Sequence, residues 1–201
     1  MLTRLLPAVL AACLFGTAAL AQTAPPTRIR GTIASVEGQT MTVATREGPK
    51  VDITLNDPLT VSTVKKVDLA SIGAGAYVGI ATRTAANGEQ QALEVLVFPE
   101  AMRGVGEGNY PWDLEPGSMM TNGTVTGTVQ AASGHELTLS FKGNTGKIVV
   151  PPGAPVVTFA PAERADLKPG APVMFGATKN AEGKLAASRV TVGKDGVAPP
   201  M

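Results

Sequence analysis

Two stretches of this chain repeat nearly the same sequence. The first begins at Gly31 and reads GTIASVEG, then TMTV; the second begins at Gly127 and reads GTVQAASG, then ELTL. The two glycines are 96 residues apart. Because any element assigned to one copy must also fit the other, this internal duplication predicts two similar folding units.

The far ends of the two copies also match, at a separation of 95 residues: Gly88, Ala92, Val95 and Val97 correspond to Gly183, Ala187, Val190 and Val192. Between the copies, Phe98 to Thr121 has no counterpart. We therefore expect a signal peptide (1–21), a first β-barrel repeat (22–98), a connector (99–121), a second β-barrel repeat (122–193) and an extended, exposed C-terminal tail (194–201).

Short runs of alternating apolar and polar residues predict strands throughout both copies. In the first copy the expected strands are 28–36, 40–45, 50–55, 76–82 and 91–97; in the second they are 123–129, 136–141, 147–150, 173–178 and 185–192. Asn56-Asp57-Pro58 is expected to end the third strand, 60–64 is a short β-prone piece, and 68–72 is expected to form one helical turn.

Helical periodicity is nowhere sustained for ten residues. Five short strands in a copy suit a small barrel, which leaves few strand edges exposed. The predicted fold is all-β: two tandem five-stranded OB-like barrels from an internal duplication, joined by an irregular connector. An SH3-like barrel or a small sandwich is the alternative for each copy.

The N-terminus has the pattern of a secretory signal peptide. A basic residue at Arg4 precedes an apolar run from Leu5 to Leu20, and Ala19-Leu-Ala21 is a small-x-small cleavage site. We expect a periplasmic or secreted protein, cleaved near Ala21. A lipoprotein cleavage box ending at Cys13 is the alternative, which would leave a lipid anchor. No later segment has the roughly 20 apolar residues of a membrane-spanning helix.

Charge and cysteine content exclude several functions. The chain has 17 basic and 16 acidic residues, a balance that offers no electrostatic footprint for nucleic acid. Cys13 is the only cysteine and is expected to leave with the signal, so thiolate metal sites and thiol nucleophiles are not expected. No cofactor is predicted, and the expected partner is a protein or small ligand of the cell envelope.

Two segments resemble a known group of proteins. The hairpin pattern Gly31-x-Ile-x-x-Val-x-Gly38 with Met41-Thr-Val43 resembles a bacterial exported β-barrel domain of unknown function. The connector sequence FPEAMRG, with PWDL and PGS after it, resembles a group of exported proteobacterial proteins with two such domains. The resemblance implies a fold and no established activity. Similar proteins often carry the label of metal-transporter permease, which a chain without several spanning helices does not support literally.

The connector has an unusual composition. It holds four acids against Arg103, three methionines, and Tyr110 close to Trp112, which is the only tryptophan of the chain. The candidate binding surface comprises Glu100, Met102, Arg103, Glu107, Tyr110, Trp112 and Asp113. Packing of the aromatic and methionine side chains between the two barrels, with the acids as a solvated rim, is the simpler interpretation.

A weak metal site is the alternative function. Thioethers suit Cu(I) and carboxylates suit harder ions, so Met102, Met119 and Met120 with connector acids are candidate ligands for copper or a divalent ion. Such a protein would be associated with metal transport.

Other motifs do not favour catalysis. The glycines of Gly104-Val-Gly-Glu-Gly108 precede Asn109-Tyr-Pro111, which is no helix start, so a phosphate loop is not expected. His135 is the only histidine and is predicted to be an exposed turn residue, matching Gln39 of the first copy. No serine lies in a nucleophile elbow. The sequence therefore predicts a non-enzymatic binding or scaffolding protein.

Overall fold

The computed structural model of the protein describes residues 26–131, 134–180 and 182–199. The predicted signal peptide and Cys13 lie outside the described residues. Within these ranges the chain is all-β, with three short 3₁₀ segments and no α-helix. No described helix is long and apolar enough to cross a membrane.

The first half contains six strands: β1 (Thr27–Glu37), β2 (Thr40–Thr45), β3 (Lys50–Lys66), β4 (Tyr77–Thr84), β5 (Gln90–Val97) and β6 (Gly108–Pro111). The second half contains six more: β7 (Met119–Ala131), β8 (Gly134–Phe141), β9 (Asn144–Val150), β10 (Val156–Pro161), β11 (Pro172–Lys179) and β12 (Leu185–Val192). The 3₁₀ segments are Leu69–Ser71, Glu100–Met102 and Arg164–Asp166.

Five of these strands form a closed barrel. β1, β2 and β3 make an antiparallel meander, and β11 and β12 make a hairpin. β11 pairs with β1 in the antiparallel sense, and β12 pairs with β3 in the parallel sense, which closes the circle. Alternate residues point inward, so Ile33, Val43 and Ile53 meet Phe175 and Val190 in one buried core.

The remaining strands surround a second core. β4 pairs with β7, β7 with β8, and β8 with β9, all antiparallel. β5 pairs with β4 and meets β9 in parallel at Gln91 and Val149. Ile80 and Val95 pack with Leu139 inside this ring. β10 lies between β3 and β5 and joins the two groups into one sheet.

The two tandem barrels expected from the sequence, one from each repeat, are not confirmed. The closed barrel takes three strands from the first half and two from the second, and the second ring takes β4 and β5 from the first half. Matching hydrogen bonds attach each hairpin to the other half: Gly170 N–H donates to Ile33 O, and Gly75 N–H donates to Val125 O, both at 2.8 Å. The strand pairings therefore exchange hairpins between the halves.

The register of the two meanders differs from the alignment of the sequences. A β-bulge interrupts the β1–β2 ladder between Ile33 and Ser35, and a similar bulge interrupts the β7–β8 ladder between Val125 and Gly127. These bulges make Gly31 correspond to Gly123, four residues before Gly127. The β7–β8 hairpin is longer by four residues, which form the two additional pairs Gln130–His135 and Ala131–Gly134.

β3 does not end at Asn56-Asp57-Pro58 as predicted. Along the parallel ladder with β12, Ala187 faces Leu55 and Arg189 faces Thr60, so the intervening residues of β3 bulge outward opposite Ser188. The bulge takes Pro58, which has no N–H to donate, out of the ladder, and the strand resumes. In the second half the corresponding stretch is a loop, followed by β10, a strand that the sequence analysis did not assign.

The C-terminal tail is not the extended, exposed segment expected. Lys194 pairs with Val197 across a tight turn, and the Lys194 ammonium lies 2.9 Å from the Asp166 carboxylate. Pro199 is buried. Pro200 and Met201 lie outside the described residues.

Candidate functional site

The second half of the connector is held by arginines of the closed barrel. Arg28 and Arg30 alternate with core residues on β1, so both point outward. Their guanidinium groups lie 2.9 and 2.8 Å from the same carboxylate oxygen of Asp113. Arg46, after β2, donates to the carbonyls of Asp113 (2.6 Å) and Leu114 (3.2 Å). The connector therefore lies across the outside of β1.

Trp112 and Tyr110 cover these arginines. The Arg28 guanidinium lies 3.7 Å from the centre of the Trp112 ring, a cation–π contact. The Tyr110 ring stands edge-on to Trp112 at 6.1 Å. The loop closes where Trp112 N–H donates to the carbonyl of buried Ser118 at 2.8 Å. The aromatic pair thus packs as part of the joint.

Asp113 is ionised across the physiological range. Partial burial raises the pKa of its carboxyl, but hydrogen bonds and attraction from Arg30 and Arg28 outweigh this and lower the pKa to about 2.

Arg30 is the most constrained of the three arginines. Its side chain is 2% exposed, and its Nε and Nη2 atoms have no hydrogen-bond partner among the described residues. Leaving a buried donor unsatisfied costs about 1–3 kcal/mol, and more when the group is charged. The single bond to Asp113 and the nearby Trp112 ring, 5.4 Å away, compensate part of this cost.

The first half of the connector is bound to the other ring. Glu100 and Arg103 form an ion pair at 2.6 Å, and Arg103 also donates to the carbonyl of Gly75 at 2.9 Å. The Glu107 carboxylate accepts the backbone N–H of Lys142 at 2.9 Å. Glu100, Glu107 and Asp113 therefore all have partners within the molecule.

The candidate metal ligands are not arranged as one set. Met119 and Met120 are consecutive in β7, and consecutive side chains of a strand point to opposite faces of the sheet. Met120 is buried, and Met102, in the 3₁₀ segment of the connector, is half-buried. Among the described residues no group of three or more His, Cys, Asp or Glu side chains is placed to hold an ion.

An open groove lies away from the connector, at the end of the second ring. Its volume is about 540 Å³. Three pieces of chain line it: the end of β3 with the turn after it, the adjoining ends of β7 and β8, and the loop between β9 and β10. The lining residues are Lys66, Val67, Asp68, Leu69, Gln130, Gly134, His135, Val150, Pro151, Pro152, Gly153, Ala154, Pro155 and Val156.

His135 is one of the residues that line this groove. His135 pairs with Gln130 across the β7–β8 ladder and with Val150 across the β8–β9 ladder. In the alignment of the two copies, His135 corresponds to Gln39. The Gln39 carbonyl accepts the N–H of Leu55. The expectation of an exposed turn residue is wrong, because His135 is half-buried at the start of a strand.

The corresponding place on the closed barrel is occupied by an arginine. Arg164, the first residue of its 3₁₀ segment, donates from Nη2 to the carbonyl of Gly38 in the β1–β2 turn at 2.6 Å. Its Nη1 lies 4.0 Å from Asp57, which accepts from Gln39 at 2.9 Å. The Arg164 side chain therefore bridges the gap between the 3₁₀ segment and the β1–β2 turn.

On the second ring the first residue of the matching 3₁₀ segment is Leu69. Leu69 is half-buried and packs against the core of that ring. Pro152 is 95 residues after Asp57. At both positions with this separation, an uncharged side chain beside the groove takes the place of a charged side chain of the barrel.

Sequence reasoning missed this groove although one signal was present. Leu69 and Arg164 are 95 residues apart, the separation that relates the ends of the two copies. An unmatched pair at that separation marks a place where the halves differ. Comparison of the chain with protein-family models, curated proteins and solved structures found no match.

Proposed function

We propose that this protein is a non-enzymatic binding protein of the bacterial envelope, exported through its N-terminal signal, and that the groove beside Leu69 is its binding site. The observation that carries the proposal is the open groove of about 540 Å³, which is large enough for a side chain or a small ligand. The connector acts as the joint between the two groups of strands.

The shape of the groove supports a preformed site. Pro151, Pro152 and Pro155 have fixed φ angles, which limits the movement of the wall they form. The lining includes Val67, Val150 and other apolar groups together with polar groups such as His135. A mainly apolar lining with a few polar groups is typical of ligand sites.

We also propose that each ring of five strands is an OB-like barrel assembled from both halves. A three-strand meander closed by a parallel contact between its third strand and the second strand of a hairpin occurs in both rings. In OB barrels the turn between the first two strands borders the ligand surface. Here the ends of β7 and β8 line the groove, which supports the proposal by analogy of fold.

Nuclear magnetic resonance tests the proposed site. The mature chain, residues 22–201, labelled with ¹⁵N, is titrated with panels of peptides, sugars, nucleotides and fatty acids. We expect at least one class to shift the amide signals of Lys66, His135 and Gly153 together. The Leu69→Arg variant, which supplies the side chain found on the closed barrel, should lose those shifts.

The matched control is Leu69→Met, which keeps an apolar side chain of similar volume and should retain binding. Shifts confined to Tyr110 and Trp112 would assign binding to the connector and contradict the proposal. Ligands recovered chemically altered would contradict the non-enzymatic part of it.

A further inference from the structure

We infer that the groove receives a basic side chain, an arginine above all, presented by an exposed stretch of a partner polypeptide. This inference rests on the proposed function and names the ligand of the same site. The occupant is suggested by the molecule itself, because the corresponding gap on the closed barrel holds Arg164.

The geometry around Arg164 defines what the gap accepts. The guanidinium group bridges from the 3₁₀ segment to the carbonyl of Gly38 at 2.6 Å. A planar donor group with several N–H bonds suits a backbone carbonyl at a hairpin turn. The side chain remains 42% exposed, so the gap is reachable from solvent. An arginine arriving from another chain would need the same approach.

The open groove has few backbone hydrogen-bond donors in its loop wall. Pro151, Pro152 and Pro155 have no backbone N–H, and the carbonyls of Pro151 and Pro155 already accept from Ala154 N at 3.1 Å and Val95 N at 2.8 Å. Asp68 adds a carboxylate at the edge; its Oδ1 accepts one bond, from Ala70 N at 2.9 Å. A cationic donor is the natural partner of this carboxylate.

Lys66 is the charged group that opposes a basic ligand. It lies at the end of β3 and is exposed to water, where charge interactions are weakened by solvent and salt. Asp68 carries the opposite charge on the same edge of the groove. The inference therefore requires that Lys66 weakens binding without preventing it, which the experiment measures.

The experiment compares three blocked pentapeptides with a single central residue: arginine, its neutral isostere citrulline, and glutamate. Each carries a fluorophore, and binding to the mature protein is followed by fluorescence anisotropy and by ¹⁵N shift mapping. We expect the arginine peptide to bind at one site, at least about fivefold more tightly than the citrulline peptide.

Three variants locate that binding. Leu69→Arg should abolish it, and Leu69→Met should preserve it. Arg164→Leu should open the equivalent gap on the closed barrel and raise the stoichiometry from one peptide to two. Lys66→Ala, a change at an exposed residue that leaves the core intact, should increase affinity for the arginine peptide severalfold.

The outcomes separate this inference from the proposed function. Equal affinity for the arginine and citrulline peptides overturns the inference. Tighter binding of the glutamate peptide, lost in Leu69→Arg, also overturns it. In both cases the groove would bind a different ligand class and the proposed function would stand. Peptide or ligand binding unaffected by Leu69→Arg, with circular dichroism showing a folded variant, overturns both. If Leu69→Arg does not fold, the variants Lys66→Ala and Arg164→Leu decide. The inference is overturned if Lys66→Ala does not raise the affinity and Arg164→Leu does not raise the stoichiometry.

Discussion

At the scale of single residues, backbone contacts across the two meanders require glycine at one matching position of β1 and β7. A Cβ at Gly31 would overlap the carbonyl oxygen of Ala44, and a Cβ at Gly123 would lie 2.6 Å from that of Ser140. At Gly127 the nearest atoms, in Thr138, would be 3.8 Å away, an ordinary contact. Gly31 and Gly123 therefore hold equivalent places.

Alanine substitution tests this correspondence. Gly31→Ala and Gly123→Ala should each lower the free energy of unfolding by about 1–3 kcal/mol, because a strand must move to relieve the overlap. Gly127→Ala, the position matched by sequence, should change it by less than 1 kcal/mol. Urea denaturation followed by circular dichroism measures all three, and a large loss confined to Gly31→Ala and Gly127→Ala would restore the sequence alignment.

Asp113 makes stability depend on pH in a defined window. Its pKa in the folded protein, about 2, lies below the ordinary value of 3.8, so its contribution is full above the ordinary value and is lost as pH falls through about 2. Because the side chain is 49% exposed, we expect only about 1 kcal/mol at neutral pH.

Asp113→Asn should therefore be about 1 kcal/mol less stable than the native protein at pH 7, with a difference that shrinks towards pH 2. Asp195→Asn is the control, an exposed turn residue with φ of 53°, a conformation that asparagine tolerates. Parallel stability curves for native protein and Asp113→Asn from pH 7 to pH 2 would contradict the role of the arginine pair.

At the scale of elements, the connector is a strap attached at both ends. One end is tied to Gly75 through Arg103, and the other covers β1 through Trp112 and Asp113. Between the two attachments lies the short strand β6, which pairs with β7. Loss of either attachment should loosen the joint and leave both cores intact.

Trp112→Ala should lower the free energy of unfolding by about 2 kcal/mol through lost packing and the lost cation–π contact with Arg28. Trp112→Phe keeps an aromatic ring and should lose less than half as much. Because Trp112 is the only tryptophan, far-UV circular dichroism and not fluorescence follows the transition. Equal losses in the two variants would show that the ring face contributes nothing.

At the scale of the whole molecule, hairpin exchange makes the two halves depend on each other. The closed barrel needs β11 and β12 from the second half, and the second ring needs β4 and β5 from the first. Neither half contains a complete ring of strands. A break in the connector should therefore leave the assembly intact, since its pairings are noncovalent.

Co-expression of two fragments tests this dependence. We expect fragments 22–104 and 105–201 to co-purify as a one-to-one complex with the circular dichroism of the intact chain. Each fragment alone should be unfolded or aggregated, because its hairpin lacks a meander to close. Two fragments that fold separately and elute as monomers would instead support tandem barrels.

The candidate site shows why sequence and structure carried different information. Strand positions came close to the observed ones because alternating burial is a local property of the chain. The composition of the connector marked it as unusual, but the partners of Asp113 are Arg28 and Arg30, about 85 residues away, and no local pattern indicates such a pair.

By itself, the sequence determined the class of fold and most of its strands, because residue type and spacing decide which face of a strand is apolar. Tertiary structure alone decided that the hairpins are exchanged, since a strand finds equivalent partners in either half and only the path of the intervening chain selects between them. It also decided that Leu69 leaves a groove open where Arg164 fills one. A void depends on three distant segments at once, which is information that no single segment contains.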